Sequence, residues 1–109
     1  MIHYSVWFSF QDFVPPADGL QRVHAFLDGM HRRGLVQAFR LLRNRDRNAD
    51  PARAFQAAIT FADVEAFAYG FAAVEHEGIR SGLHGLMVAV IKDFTAEAFE
   101  DLDVVPPTR

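Results

Sequence analysis

The sequence predicts one α+β domain whose elements follow in the order strand, helix, strand, strand, helix, strand. Three observations predict it: alternation of an apolar and a mostly polar set of residues over Ile2–Phe10, two segments with apolar residues at helical spacing, and two alternating segments joined by a turn-rich one. A chain of 109 residues fits a single domain, and half of its residues are hydrophobic, which is enough to build a core. We expect the domain to span residues 1–103 and a C-terminal tail to follow at 104–109, since Pro106 and Pro107 cannot extend a regular element.

The first strand has two unlike faces. Its even-numbered positions are apolar or aromatic, namely Ile2, Tyr4, Val6, Phe8 and Phe10. Its odd-numbered positions are mostly polar, namely His3, Ser5, Trp7 and Ser9. Because side chains alternate across a strand, we expect the even-numbered face to meet the core.

The first helix is expected at residues 17–33. Pro15 and Pro16 cannot continue a strand ladder, and the apolar residues beyond them recur at helical spacing, as Leu20, Val23, Leu27 and Met30. Gly34 is a suitable C-terminal cap. The helix therefore presents one apolar stripe to the sheet.

A hairpin and a second helix follow. Residues 35–43 alternate, residues 44–51 are charged and rich in turn formers, and Phe55–Phe61 alternates again. Asp63 can cap the second helix and Gly78 can end it. Residues 80–85 then read as a loop, residues 86–91 as a fourth strand covered on both faces, and residues 95–102 as a short helix.

This order is the ferredoxin-like βαββαβ arrangement, in which right-handed crossovers place two helices on one face of a four-stranded antiparallel sheet. Strands one and three then lie in the centre. The opposite face has no helix to cover it, although it contains an indole and small apolar side chains. We therefore predict a homodimer with this face as its interface, formed by His3, Ser5, Trp7, Ser9, Ala58 and Thr60.

The opening residues, Met1-Ile2-His3-Tyr4-Ser5-Val6-Trp7-Phe8-Ser9-Phe10, and the strand order resemble the dimeric α+β barrel superfamily. Within it, the chain most resembles the small stress-responsive barrel proteins and a related set of uncharacterised bacterial proteins that have an element like Leu41-Leu42-Arg43-Asn44-Arg45. The resemblance implies two sheets packed face to face. The superfamily includes cofactor-independent monooxygenases, lactone isomerases and haem-binding proteins, so it implies no particular activity and transfers no catalytic residue.

Composition argues against several classes of function. A net charge of -3 supplies no basic field for nucleic acid, and no apolar run is long enough to span a membrane. The absence of cysteine excludes disulfides and thiolate ligands, and the five histidines form no metal-binding motif. We therefore expect a cytoplasmic protein that needs no metal or other cofactor.

The best candidate site lies between the sheet and the helices, where abundant phenylalanine either fills the space or lines a pocket for a small organic ligand. Its expected lining is Tyr4, Phe8, His24, Phe39, Phe55 and Phe67, with His84 at the mouth. His24 and His84 are the candidate acid–base groups because each combines a titratable ring with a position near this space. The alternative is a structural or protein-interaction module whose only output is the dimer.

A second cluster surrounds the predicted hairpin, where five arginines lie close in sequence, namely Arg40, Arg43, Arg45, Arg47 and Arg53. Forked guanidinium hydrogen bonds suit a carboxylate or phosphate. A solvated turn with local salt bridges to Asp46 and Asp50 explains the same pattern.

Overall fold

The computed structural model describes residues 1–46 and 48–102. Their strands are β1 (Ile2–Phe10), β2 (Ala38–Arg43), β3 (Phe55–Phe61) and β4 (Ile91–Glu100). Their helices are α1 (Pro16–Arg32), α2 (Val64–Glu77) and α3 (Gly82–Val88), and a 3-10 turn at Pro51–Arg53 precedes β3. The predicted tail at residues 104–109 lies outside the described residues.

The strands form one antiparallel sheet in the order β2-β3-β1-β4. The predicted ferredoxin-like fold is therefore confirmed, with β1 and β3 in the centre. The even-numbered side of β1 faces the helices as expected, and Phe8 is only 1% exposed. The core joins this side to β3 and α1, and its members include Val6, Phe8, Phe55, Ile59, Phe61, Val23, Leu27 and Met30. Each such large apolar side chain contributes roughly 1.5–3 kcal/mol by leaving water.

Local signals at the ends of α1 and α2 act as predicted. Pro16 begins α1, and Gly34 follows it with a φ of 74°. The Asp63 carboxylate accepts a hydrogen bond of 2.7 Å from the backbone nitrogen of Ala66, and Gly78 ends α2. These caps set where each helix enters and leaves the layer above the sheet.

The prediction for residues 82–90, a loop followed by a strand, was wrong. Residues 82–88 form helix α3, and only the last residue of the expected strand, Ile91, lies in a strand. A short apolar run suits a strand or a packed helix equally, and Leu86, Met87 and Ala89 all favour helix. Packing against α1 decides the outcome, since Arg22 donates a 2.9 Å hydrogen bond to the carbonyl of Leu86.

The short helix expected at residues 95–102 is also wrong, because these residues belong mainly to β4. Alanine and glutamate lower the local preference for a strand, but pairing along the whole of β1 overrides it. A β-bulge separates the Phe8–Phe94 pair from the Ser9–Lys92 pair. The extra residue is Asp93, with a φ of 54°, and its carboxylate accepts a 3.1 Å hydrogen bond from the Ser9 hydroxyl.

Candidate functional site

A cavity of about 380 Å³ lies between the sheet and the helices. Its floor is the helix-facing side of β1 and β3, and α1, α2 and α3 supply its walls. The lining side chains Phe71, Ile79 and Phe94 are 39%, 52% and 63% exposed. These exposed side chains mark an opening between α2 and β4, where none of the helices at residues 1–46 and 48–102 covers the edge strand.

The cavity is almost entirely apolar, and its few polar side chains include Tyr4, Glu75 and His84. Burial raises the pKa of the Tyr4 phenol above its ordinary value, so this hydroxyl is neutral at pH 7. A neutral phenol can donate a hydrogen bond to a ligand oxygen. The volume and chemistry therefore suit a small organic molecule with an apolar body and one or two polar atoms.

The His84 ring is held in one orientation. Its Nδ1 lies within hydrogen-bond distance of the carbonyl oxygen of Ile79, and its ring meets Phe26 edge-on with centroids 4.9 Å apart. A carbonyl oxygen only accepts, so Nδ1 is the protonated nitrogen in this contact. In the neutral ring, Nε2 then has the free lone pair that can accept a proton.

Gly85 makes this contact possible. A Cβ at this position would lie 2.2 Å from the carbonyl oxygen of Arg80. At this glycine the chain therefore makes a close approach to its own backbone. The tight turn brings the Ile79 carbonyl within hydrogen-bond distance of His84 Nδ1.

The structure brings together only some of the predicted lining residues. Tyr4, Phe8 and His84 line the cavity, and the other four predicted residues do not: His24, Phe39, Phe55 and Phe67. His24 is exposed and packs on Phe39, with ring centroids 5.4 Å apart. Since His24 and Phe26 are two residues apart on α1, their side chains diverge, and His24 lies away from the side that meets His84.

Phe67 and Phe55 support the cavity from behind. The Phe67 ring packs against Tyr4 at 5.6 Å and Phe71 at 4.8 Å. Phe55 packs against Phe8 at 5.9 Å. Sequence reasoning missed several lining residues, including Phe26, Phe71, Val74, Met87 and Phe94. Phe26, Phe71 and Val74 lie on α1 and α2, where helical spacing could have found them, but Met87 and Phe94 required the correct bounds of α3 and β4.

The opposite side of the sheet has no helix over it in the described chain. The predicted interface residues on β1 and β3 all lie on this side, which we call the open face. The Arg53 guanidinium lies 4.2 Å from the centre of the Trp7 ring and leaves it half-buried. Two exposed apolar side chains extend the open face, Leu42 on β2 and Phe99 on β4.

Polar contacts fix the margins of the open face. His3 Nε2 lies 2.8 Å from Asp101 Oδ1, and the N-terminal amine is 3.5 Å from the other carboxylate oxygen. The hydrogen bond from His3 is the main cause that lowers the pKa of Asp101 below its ordinary value.

Two arginines of the predicted hairpin cluster lie apart. Arg53 lies over the Trp7 ring and Arg43 over the Phe55 ring, and they do not converge on a common point.

Within residues 1–46 and 48–102, no group of three carboxylate or imidazole side chains is placed to hold a metal ion. None of the described helices is both long and apolar enough to cross a membrane.

The chain belongs to a family of unknown function, DUF6614, whose model matches residues 1–103. No curated protein matches the sequence.

Solved structures share the fold at low sequence identity. The Arabidopsis thaliana protein At3g17210 matches with a TM-score of 0.76 and 14% identity, over 97% of this chain and 100% of that chain. A dimeric ferredoxin-like protein of unknown function from a Jannaschia species matches with a TM-score of 0.66 and 20% identity, over 92% and 98%. A dabb family protein with a ferredoxin-like fold from Mesorhizobium loti matches with a TM-score of 0.59 and 20% identity, over 93% and 96%. The predicted relationship to dimeric ferredoxin-like proteins is thereby confirmed.

Proposed function

We propose that this protein is a homodimer that binds a small, mainly apolar organic ligand in the cavity beside His84. The observation that carries the proposal is the cavity of about 380 Å³, whose apolar walls contain one histidine held by its Nδ1. Ligand pockets of proteins start near ~300 Å³ and combine apolar walls with a few polar groups. An aromatic ring with a carbonyl or hydroxyl group has the matching chemistry.

His84 is our candidate catalytic residue. Its free Nε2 can take a proton from an acidic carbon or hydroxyl of a bound molecule, and the Tyr4 phenol can donate to the oxygen where negative charge develops. This chemistry is proton transfer and needs no cofactor. His24, the other candidate from the sequence, is exposed on the far side of α1, so we do not propose it as a catalytic residue.

Filling the cavity tests ligand binding. The variant Val74→Phe adds a ring to a lining position, and Val64→Phe makes the same change at an exposed position on the same helix. We expect the neutral fluorophore N-phenyl-1-naphthylamine to bind wild type and Val64→Phe with saturation, and Val74→Phe at least about tenfold more weakly.

The overpacked variant should lose roughly 1–3 kcal/mol of stability, so melting curves must show that it is folded at the assay temperature. Equal binding by all three proteins would contradict ligand binding in this cavity. It would favour the alternative, a structural or protein-interaction dimer without a ligand.

The homodimer is supported by the open face and by the dimeric state stated for the Jannaschia protein. We expect wild type to sediment as a single two-chain species at micromolar concentration. Trp7→Arg places a second guanidinium beside Arg53 and should produce monomers, whereas Phe13→Arg, at a residue 79% exposed beyond the end of β1, should not. A monomeric wild type would exclude the dimer.

The cytoplasmic location expected from the sequence stays a prediction.

A further inference from the structure

Strand register arranges the open face in three rows that run across all four strands. In the order β2, β3, β1, β4, the middle row is Arg40, Ala58, Ser5 and Glu97. The row on one side is Ala38, Thr60, His3 and Phe99, and the row on the other is Leu42, Gln56, Trp7 and Thr95. Paired residues of antiparallel strands point to the same face, so each row is a line of neighbouring side chains.

The middle row ends in opposite charges that cannot meet within one chain. Arg40 and Glu97 lie on the two edge strands, three strand spacings or about 14 Å apart. Both are exposed, and neither forms an ion pair with another residue of the described chain. Covering this face without supplying counter-charges would leave two buried ions, which is costly.

The same face has a hollow at one edge and a projecting ring at the other. A cleft of about 180 Å³ lies over β2, β3 and β1, lined on this face by His3, Ser5, Ala38, Arg40, Ala58 and Thr60. Phe99 projects from β4 and is 52% exposed. The β2 edge of this face therefore has the cleft and the positive charge of Arg40. The β4 edge has the projecting Phe99 ring and the negative charge of Glu97.

In a two-fold symmetric dimer, this difference between the β2 edge and the β4 edge favours one orientation of the two sheets over another. When two sheets face each other about an axis parallel to the strands, β2 lies over the partner's β4 at the same height. Arg40 then faces the partner's Glu97, and Ala38 faces the partner's Phe99. An axis perpendicular to the strands instead places β2 over β2, which brings like charges together when it is centred on the middle row.

We infer that the open face pairs with a second copy of this chain about an axis parallel to the strands, with Arg40 bound to the partner's Glu97 and the partner's Phe99 in the cleft beside Ala38. This inference rests on the proposed homodimer and specifies its orientation. Symmetry makes each contact occur twice, so the interface contains two ion pairs. Facing sheets lie about 10 Å apart, a gap that an arginine and a glutamate bridge together.

Charge reversal tests the orientation. Arg40→Glu and Glu97→Arg each create two like-charge pairs, so each variant alone should dimerise at least about tenfold more weakly than wild type. An equimolar mixture of the two should form heterodimers with both ion pairs restored, and the double variant should dimerise like wild type. Native mass spectrometry of differently tagged chains measures every species.

Two control variants carry the same charge changes on the same strands but on the helix side. Arg43→Glu and Glu100→Arg pair in register with Phe55 and Ile2 and should leave dimerisation unchanged. Single variants that dimerise like wild type would overturn the inferred ion pairs while leaving the homodimer intact. Preferential pairing of Arg40→Glu with wild type, together with an unaffected Glu97→Arg, would show that β2 faces β2. A monomeric wild type would instead refute the proposed homodimer itself.

Discussion

His84 shows which properties of a single residue the sequence can predict. Its place at the mouth of the candidate site was predicted, because the segment that contains it lies near the space between the sheet and the helices. Its ring orientation was not predictable, since the acceptor for Nδ1 is a backbone carbonyl brought into place by a turn that was interpreted as an open loop. His24 was the other histidine predicted at the site, but its exposure depends on which side of α1 meets α3.

Asp93 provides a residue-scale prediction, because its φ of 54° lies in the left-handed region. Asp93→Val puts a β-branched side chain there and removes the hydrogen bond from Ser9. We expect the free energy of unfolding to fall by about 2 kcal/mol, whereas Asp93→Gly should stay within about 1 kcal/mol of wild type. Urea unfolding measures both, and equal stability of the two variants would exclude backbone strain at the bulge.

At the scale of elements, the sequence predicts best where a repeating pattern and an end signal agree. The alternation over Ile2–Phe10 and Phe55–Phe61 predicted both central strands, and Asp63 with Gly78 bounded α2. Prediction failed at residues 82–90 and 95–102, where a uniformly apolar run and a strand containing alanine and glutamate have weak local preferences. Contact with α1 determines the structure of the first segment, and pairing with β1 determines that of the second.

The fold of α3 depends on its close approach to Arg80. Gly85→Ala would place a methyl group against the Arg80 carbonyl, and we expect it to lower the free energy of unfolding by about 1–3 kcal/mol and to disturb the His84 ring. Gly29→Ala is a matched control where α1 meets α3, since its Cβ would lie an ordinary 3.4 Å from Leu83. There the gain in helix propensity should stabilise the protein by up to about 1 kcal/mol. Thermal unfolding and the His84 ring resonances report the two effects, and a neutral Gly85→Ala would contradict the tight turn.

At the scale of the molecule, the cavity and the open face have the same cause. The helices of the described chain do not cover the whole sheet. The helices lie on one side of four strands and leave the helix side of β4 exposed at Phe94, which opens the cavity. The other side of the sheet has no covering element in the described chain. The uncovered face was predictable from element order alone. The cavity's opening was not, because it depends on β4 occupying residues that the sequence assigned to a helix.

The most direct test of the account is a nuclear magnetic resonance titration of methyl-labelled protein with indole, a neutral ring smaller than the cavity. We predict saturable shifts at the lining methyl groups of Val23, Leu27 and Val74, and at the His84 ring. The methyl groups of Leu42, on the open face, and Val64, at the exposed start of α2, should not move. Absence of saturable shifts in the lining residues, or shifts confined to Leu42, would contradict ligand binding in this cavity.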